Sequence, residues 1–290
     1  MSLSFGSAMV VVKIVLEELS PLAFVLVRVS LGGAALLIGR RIAGPVPVPG
    51  KKDLVKLSAL AILGVVVNQT FFFLGLARTT PVHATLIQQT IAPLTLFLSI
   101  AVGRERFSPL RAAGILVAFA GALALVSGGA AGFSSGELEG DLLILVNAAS
   151  YAVFLVASQR TIVRLGSLTV SAWMFAIGTV ILLPFGLPDL ARTDFASLSS
   201  GAWAGIAFVV AFPTVLAYLL NAWALARAAP SLVSAYIFIQ PFVAAALDVL
   251  LRGATLPLGT VLSGALILSG VLLTAIASRR TGQRRGPDTA

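Results

Sequence analysis

Leu76-Ala77-Arg78-Thr79-Thr80-Pro81 has a counterpart in Leu225-Ala226-Arg227-Ala228-Ala229-Pro230, and the rest of the chain is organised around that pair. Each hexapeptide precedes an apolar stretch with a proline inside it, Pro93 and Pro241, and each stretch ends near an arginine, Arg104 and Arg252. Two further apolar stretches carry small residues seven apart, Gly114 and Gly121 in one and Ser263 and Gly270 in the other. The offset is 148 to 149 residues throughout, about half of a 290-residue chain. Ordered matches at one offset point to a duplicated unit.

Composition says what kind of unit it is. Of the residues, 58% are hydrophobic and 11% charged, and the mean hydropathy is +1.03. Soluble domains carry about 25% charged residues, and this chain has too few to cover a water-facing surface. Stretches near the ~20 residues that span a bilayer recur at 3–18, 21–39, 55–77, 81–102, 109–127, 141–162, 168–187, 201–222, 230–251 and 257–278. Loop chemistry separates them, as in Pro45-Val46-Pro47-Val48-Pro49-Gly50 and Leu187-Pro188-Asp189. The expected fold is an all-α integral membrane protein of ten transmembrane helices. Residues 1–128 form a first five-helix repeat with a short first helix, 129–140 an outer linker, 141–278 a second repeat, and 279–290 a basic cytoplasmic tail.

Five is an odd number, so the second unit must cross the membrane upside down relative to the first. The charges agree. With the N-terminus cytoplasmic, fifteen of the twenty Lys and Arg fall on the cytoplasmic side, three (Arg78, Arg192, Arg252) fall outside, and Lys13 and Arg28 lie within spans. Positive residues accumulate on the cytoplasmic side of membrane proteins, so both termini are expected there, in a multi-pass protein of the inner membrane. The Arg104-Glu105-Arg106 turn faces the cytoplasm, whereas its counterpart Arg252-Gly253-Ala254-Thr255 faces out and has lost most of its charge.

Several function classes fall away. The chain has no cysteine and one histidine, His83, which excludes thiol chemistry and argues against a metal or haem site. The net charge of +9 sits in short loops and the tail, so no nucleic-acid partner is expected. There is no Gly-x-x-x-x-Gly-Lys-Ser/Thr loop, so ATP is not the direct energy source. No cofactor is expected. The opening residues show neither the basic start nor the cleavage site of a signal peptide.

Phe5-Gly6-Ser7 with Lys13, Ser20-Pro21 with Arg28, and Pro93, Gly103, Glu105, Gly114 and Gly121 together resemble the EamA family of the drug/metabolite transporter superfamily, over essentially the whole chain. The resemblance implies ten helices, alternating access and export of amino acids, metabolites or drugs. In that family further apolar residues precede the Phe5 position. The second unit lacks the Gly-x-Glu of Gly103 to Glu105, which argues against a symmetric role for the glutamate.

Polar groups within spans are costly and tend to face the bundle interior or a water-filled cavity. Lys13 stands four residues before Glu17 and either pairs with it or snorkels; the resemblance implies an inward Lys13 that touches substrate or stabilises the fold. The expected substrate-binding set continues with Asn68, Gln69 and Phe72 in the third span, and Thr85, Gln88 and Gln89 in the fourth. The sixth span offers Tyr151 beside Asn147 and Ser150, and the seventh Trp173. Tyr218 and Asn221 follow in the eighth, and Tyr236 and Gln240 in the ninth. The competing reading is interhelical hydrogen bonding, worth about 0.6 kcal/mol each, or interfacial anchoring for Trp173 and Tyr218. Of two adjacent glutamines, at least one is expected to line a cavity. Pro93 and Pro241 are expected hinges, since each leaves a carbonyl (Gln89, Ile237) without its helical donor. Structural ion pairs are expected for Arg28, with Glu17 or Glu18, and for Asp248 with Arg252; substrate contact is the second reading of Arg28. His83 reads as a packed or interfacial residue.

The functional expectation is a secondary transporter of a small-molecule substrate within the lipid bilayer, and not an enzyme. A membrane-embedded enzyme on lipid-linked substrates would need clustered acid, base or metal ligands at one face. A non-transporting sensor or receptor is the other alternative. The small-residue faces read as scaffold for the fifth and tenth spans, with a homodimer contact as the second reading.

Overall fold

The computed structural model describes residues 11–12, 15–44, 49–127, 138–241 and 258–283. All regular structure among them is helical: α1 (Pro21–Ile42), α2 (Lys51–Leu76), α3 (Pro81–Gln88), α4 (Ile91–Ala101), α5 (Pro109–Ser127), α6 (Leu138–Leu165), α7 (Ser167–Ala191), α8 (Ser200–Leu225), α9 (Pro230–Ser234) and α10 (Leu258–Gln283). Seven helical stretches among the described residues are long and apolar enough to cross a membrane, counting α3 and α4 as parts of one. The chain is thus an all-α, multi-pass membrane protein. Of the other expected spans, the first lies mainly outside the described residues, the ninth runs beyond them after Gln240-Pro241, and the fifth is α5. Lys13, Asp248 and Arg252 lie outside the described residues.

The helices begin where the sequence supplies a cap. Ser20, Thr80 and Ser199 each accept a hydrogen bond from a backbone N–H three residues on, at 3.1 to 3.3 Å, and Pro21 and Pro81 fill positions where no donor is needed. The expected fourth span is broken after Gln88. Pro93 has no N–H for the Gln89 carbonyl, and the backbone tightens there: Gln89 and Thr90 N–H donate three residues back, to Leu86 and Ile87, at 3.1 and 3.0 Å. The stretch before Pro241 tightens likewise into a 3-10 turn, Ala235–Phe238. Mid-helix π turns, Ile62–Val67 in α2 and Val210–Leu216 in α8, have no clear sequence signal beyond Pro213.

Small residues let two pairs of helices approach closely. A Cβ on Gly114 would stand 2.8 Å from the Gly270 carbonyl oxygen, and one on Gly121 3.0 Å from the Ser263 carbonyl oxygen. The small-residue faces of α5 and α10 therefore meet each other within one chain, the use expected of a scaffold rather than of a dimer contact. On α1 and α7, a Cβ on Gly186 would stand 2.8 Å from the Leu22 carbonyl oxygen. Large apolar side chains such as Phe97, Leu116, Val180 and Leu272 stay exposed on the outer helix faces, as lipid contact requires.

Polar clusters join neighbouring elements at both ends of the bundle. At one end Asp53 pairs with Arg164, and Glu105 pairs with Arg111. Glu105 also accepts from the Ser231 N–H at 3.0 Å and from its hydroxyl at 2.6 Å, tying the loop after α4 to the first turn of α9. At the opposite end Asp141 accepts from the Thr79 hydroxyl at 2.5 Å and lies 3.2 Å from His83 Nδ1. Ser20 Oγ donates to Asp189 at 2.9 Å, and Glu18 accepts from Ser199 Oγ at 2.6 Å.

Two outcomes follow for unfolding in detergent. Gly270→Val places carbon 2.5 Å from the Gly114 carbonyl oxygen and should destabilise by about 1–3 kcal/mol, lowering the melting midpoint, whereas Gly39→Ala, which meets nothing within 4 Å, should not lower it. Glu105→Ala removes a carboxylate from a pair whose side chains are each 4% exposed, and should cost about 3–5 kcal/mol against about 1 kcal/mol for Ser231→Ala, read by denaturant titration.

Candidate functional site

Between the two ends lies a narrow cavity of about 50 Å³. That is room for a few ordered waters, at ~10–15 Å³ each. Its walls come from six directions: Arg28 of α1; Asn68, Gln69 and Phe72 of α2; Gln88 and Ile91 around the α3–α4 break; Asn147 and Tyr151 of α6; Tyr218 of α8; and Tyr236, Ile237 and Gln240 from the 3-10 turn and the residues after it.

The polar walls form a connected network. Gln69 Nε2 donates to the Tyr218 hydroxyl at 2.5 Å and to Asn68 Oδ1 at 3.0 Å, and the Tyr218 hydroxyl donates to the Gly64 carbonyl at 2.8 Å. Asn147 Nδ2 donates to the Asn68 carbonyl at 2.6 Å, and Ser150 Oγ to the Leu63 carbonyl at 2.7 Å. Those carbonyls belong to or flank the π turn of α2. The backbone there bonds five residues back instead of four, and side chains of α6 and α8 donate to its carbonyls as well. Across the cavity the Tyr151 and Tyr236 hydroxyls stand 3.5 Å apart. Tyr218 also meets Phe175 edge to face, with ring centres 4.7 Å apart.

Arg28 serves the other π turn. Its Nε donates to Thr214 Oγ1 at 2.6 Å and its Nη2 to the Pro213 carbonyl at 3.3 Å, and its guanidinium lies 5.1 Å from the centre of the Phe73 ring. The expected pair with Glu17 or Glu18 is not present. Glu18 is engaged with Ser199 at the end of the bundle, while Arg28 lies about 10 Å along α1 from Pro21, at 1.5 Å per residue. Sequence spacing placed the two charges near each other along the chain and could not show how α1 is rotated.

The structure brings Asn68, Gln69, Phe72, Gln88, Tyr151, Tyr218, Tyr236 and Gln240 together around one cavity. It leaves out four others of the expected set. Gln89 turns back on its own helix, donating to the Thr85 carbonyl at 2.9 Å, so that of the adjacent glutamines only Gln88 reaches the cavity and Thr85 does not. Trp173 is half-buried against the side of the main apolar core. Asn221 is buried one turn beyond Tyr218 and off the cavity. Arg28 lines the cavity, in keeping with the second reading of that charge rather than with the ion pair. One feature went unforeseen: the Glu105–Ser231 link, whose signal was the Gly103 to Glu105 motif. Among the described residues no group of His, Asp and Glu is arranged to hold a metal ion.

A model of the EamA-like transporter family matches residues 1–127 and 138–276. An uncharacterized transporter of Archaeoglobus fulgidus is 27% identical, covering 94% of this chain and 93% of that protein. The chain is 26% identical, over 99% of its length and 94% of the relative's, to a probable terminal-alkyne amino-acid exporter of Streptantibioticus cattleyicolor. It is 25% identical to the inner membrane transporter YedA of Escherichia coli K12, over 93% and 87% of the two chains. A solved crystal structure with 20% identity matches at a TM-score of 0.77, covering 96% of this chain and 97% of the other, and shows a shared fold. The chain belongs to the EamA-like transporter family and is a multi-pass membrane transporter.

Proposed function

We propose that this protein is a secondary transporter that exports small amphipathic metabolites, amino acids among them, by alternating access. It would do so with ten spans in two inverted five-helix repeats, residues 1–128 and 141–278, joined by a linker at 129–140. The observation that carries the reading is the Gln69–Tyr218 hydrogen bond. Its partners are 149 residues apart, the offset of the sequence repeat, so equivalent positions of the two halves meet in the wall of a polar cavity. The α5–α10 contact has the same character. Gly114 meets Gly270 and Gly121 meets Ser263, and these four are the repeat partners exchanged, the pattern that a two-fold axis produces.

The cavity is too small for a metabolite, and polar clusters join helices at both ends of the bundle. This fits an occluded state, from which opening either end would expose the site to one side. Breaking Glu105–Ser231 and Asp53–Arg164 would open the cytoplasmic end, and breaking Asp141–Thr79 and Glu18–Ser199 the outer end. The irregular backbone at Gln89–Thr90 and Ala235–Phe238, ahead of Pro93 and Pro241, supports these two as hinges. The described lining holds amides, phenols and a guanidinium and no carboxylate or imidazole. That set suits binding of polar solutes and offers no acid–base pair for lipid-linked chemistry. The Streptantibioticus relative supports amino acids as the substrate class, and YedA supports the inner membrane.

Purified protein in liposomes loaded with labelled amino acids should release at least one of them. Tyr218→Phe and Gln69→Ala should slow that release up to about tenfold, the worth of one buried hydrogen bond of ~1–1.5 kcal/mol. Release of none, or release by both variants at the parental rate, counts against the reading. The chain has no cysteine to remove, so topology can be read directly. Phe107→Cys should react with an impermeant maleimide only after cells are permeabilised, and Asp194→Cys in intact cells. The reverse pattern would turn the proposed orientation over.

A further inference from the structure

Arg28 is 4% exposed, in the middle of an apolar helix, and forms part of the cavity wall. A buried charge is expensive unless a counter-charge compensates it, and an ionisable residue at membrane depth marks a functional site by default. Its hydrogen-bond acceptors here, Thr214 Oγ1 and the Pro213 carbonyl, are neutral, and among the described residues no carboxylate lies within 4.0 Å of it. A neutral donor would satisfy both acceptors equally well. Beyond the Phe73 ring face, the full positive charge has no counter-charge among the described residues, and an anion in the cavity would supply one.

On the transport reading above, we propose that Arg28 is the carboxylate-binding residue of this cavity, so that the transported solutes are monocarboxylates and zwitterionic amino acids rather than amines or neutral amides. The guanidinium presents five donors, of which the bonds to Thr214 and Pro213 occupy Nε and one Nη proton, and the remainder suit two carboxylate oxygens side by side. Thr214, fully buried, and Phe73 hold the fork from behind. Beside it, Gln69 and Tyr218 offer amide and hydroxyl groups, while Phe72, Ile91 and Tyr236 give an apolar wall for a side chain. With one cation and no acidic group among the described lining residues, the cavity favours a single negative charge over a phosphate dianion and offers no partner of opposite charge to a lone ammonium.

The test is the melting midpoint of the detergent-purified full chain, titrated with matched sets: phenylalanine, phenylalaninamide and phenethylamine, with leucine and leucinamide as a second set. Ligands that bind the folded state raise the midpoint. The carboxylate members should raise it and the amides and amine should not. Arg28→Gln should abolish the shift, and Arg28→Lys, which keeps the charge and loses the fork, should weaken the apparent affinity about tenfold or more. Should Arg28→Gln fail to fold, Thr214→Val removes the anchor while keeping the guanidinium, and it should also weaken carboxylate binding. Equal shifts from amides or amines, or unchanged carboxylate shifts in the Lys and Val variants, overturn the assignment. Efflux confined to neutral or cationic solutes leaves the transporter reading standing and removes this one. Absence of binding and flux for every solute removes both.

Discussion

Hydrocarbon offers no hydrogen bond, so every polar group at membrane depth must find its partner inside the chain. The helices answer that demand for most of the backbone. Where a helix departs from the α form, side chains donate to its carbonyls too, and much of the polar interior is engaged there. Ser150, Tyr218 and Asn147 supply the carbonyls of Leu63, Gly64 and Asn68 around one π turn. Arg28 and Thr214 supply Pro213 and Val209 around the other. The cavity exists because these donors, being polar, cannot all be packed with apolar neighbours. Its lining and the satisfaction of the irregular backbone are one arrangement seen from two sides.

This explains which parts could be read in advance. Asn68, Gln69, Tyr218, Tyr236 and Gln240 were legible because an amide or phenol within twenty apolar residues has few places to go. The α5–α10 contact was legible as paired small residues, though whether the partner was the same chain or a second copy was not. Rotation about the helix axis was out of reach. Periodicity ranks residues by face but does not say which neighbour the face meets. Thus Gln88 enters the cavity and Gln89, one position on, bonds back to Thr85, because the break before Pro93 turns it away. Spacing along the chain suggests a nearby carboxylate for Arg28, whereas its partners lie 185 and 186 residues away. The π turns escaped because an extra residue in one turn costs little and leaves almost no mark on composition.

Packing also divides the molecule into parts of unequal freedom. The contacts of α5 with α10 run backbone against backbone, with no room for a methyl group. Such a seam slides poorly, since any displacement drives carbonyls into glycine hydrogens. The clusters at the two ends are built instead from a few carboxylates and hydroxyls, whose bonds can be exchanged for water. On the transport reading, movement belongs to those ends and to the tightened segments ahead of Pro93 and Pro241, with the glycine seam as the fixed frame.

On the proposed two-repeat reading, the bond between Gln69 and Tyr218 carries a consequence for ancestry. A two-fold axis has no direction, but a hydrogen bond does: one partner gives the proton and the other receives it. If two identical polypeptides once paired across this line, the same side chain had to face its own copy and play both parts, which suits a group able to do either, such as a hydroxyl or an amide. Joining the copies into one gene released that constraint. One half could keep a donor amide while the other took a phenol that receives from it and hands its own proton on to Gly64. Divergence at such a position is what fusion makes available, and on the two-repeat reading the Gln69–Tyr218 pair is a case of it.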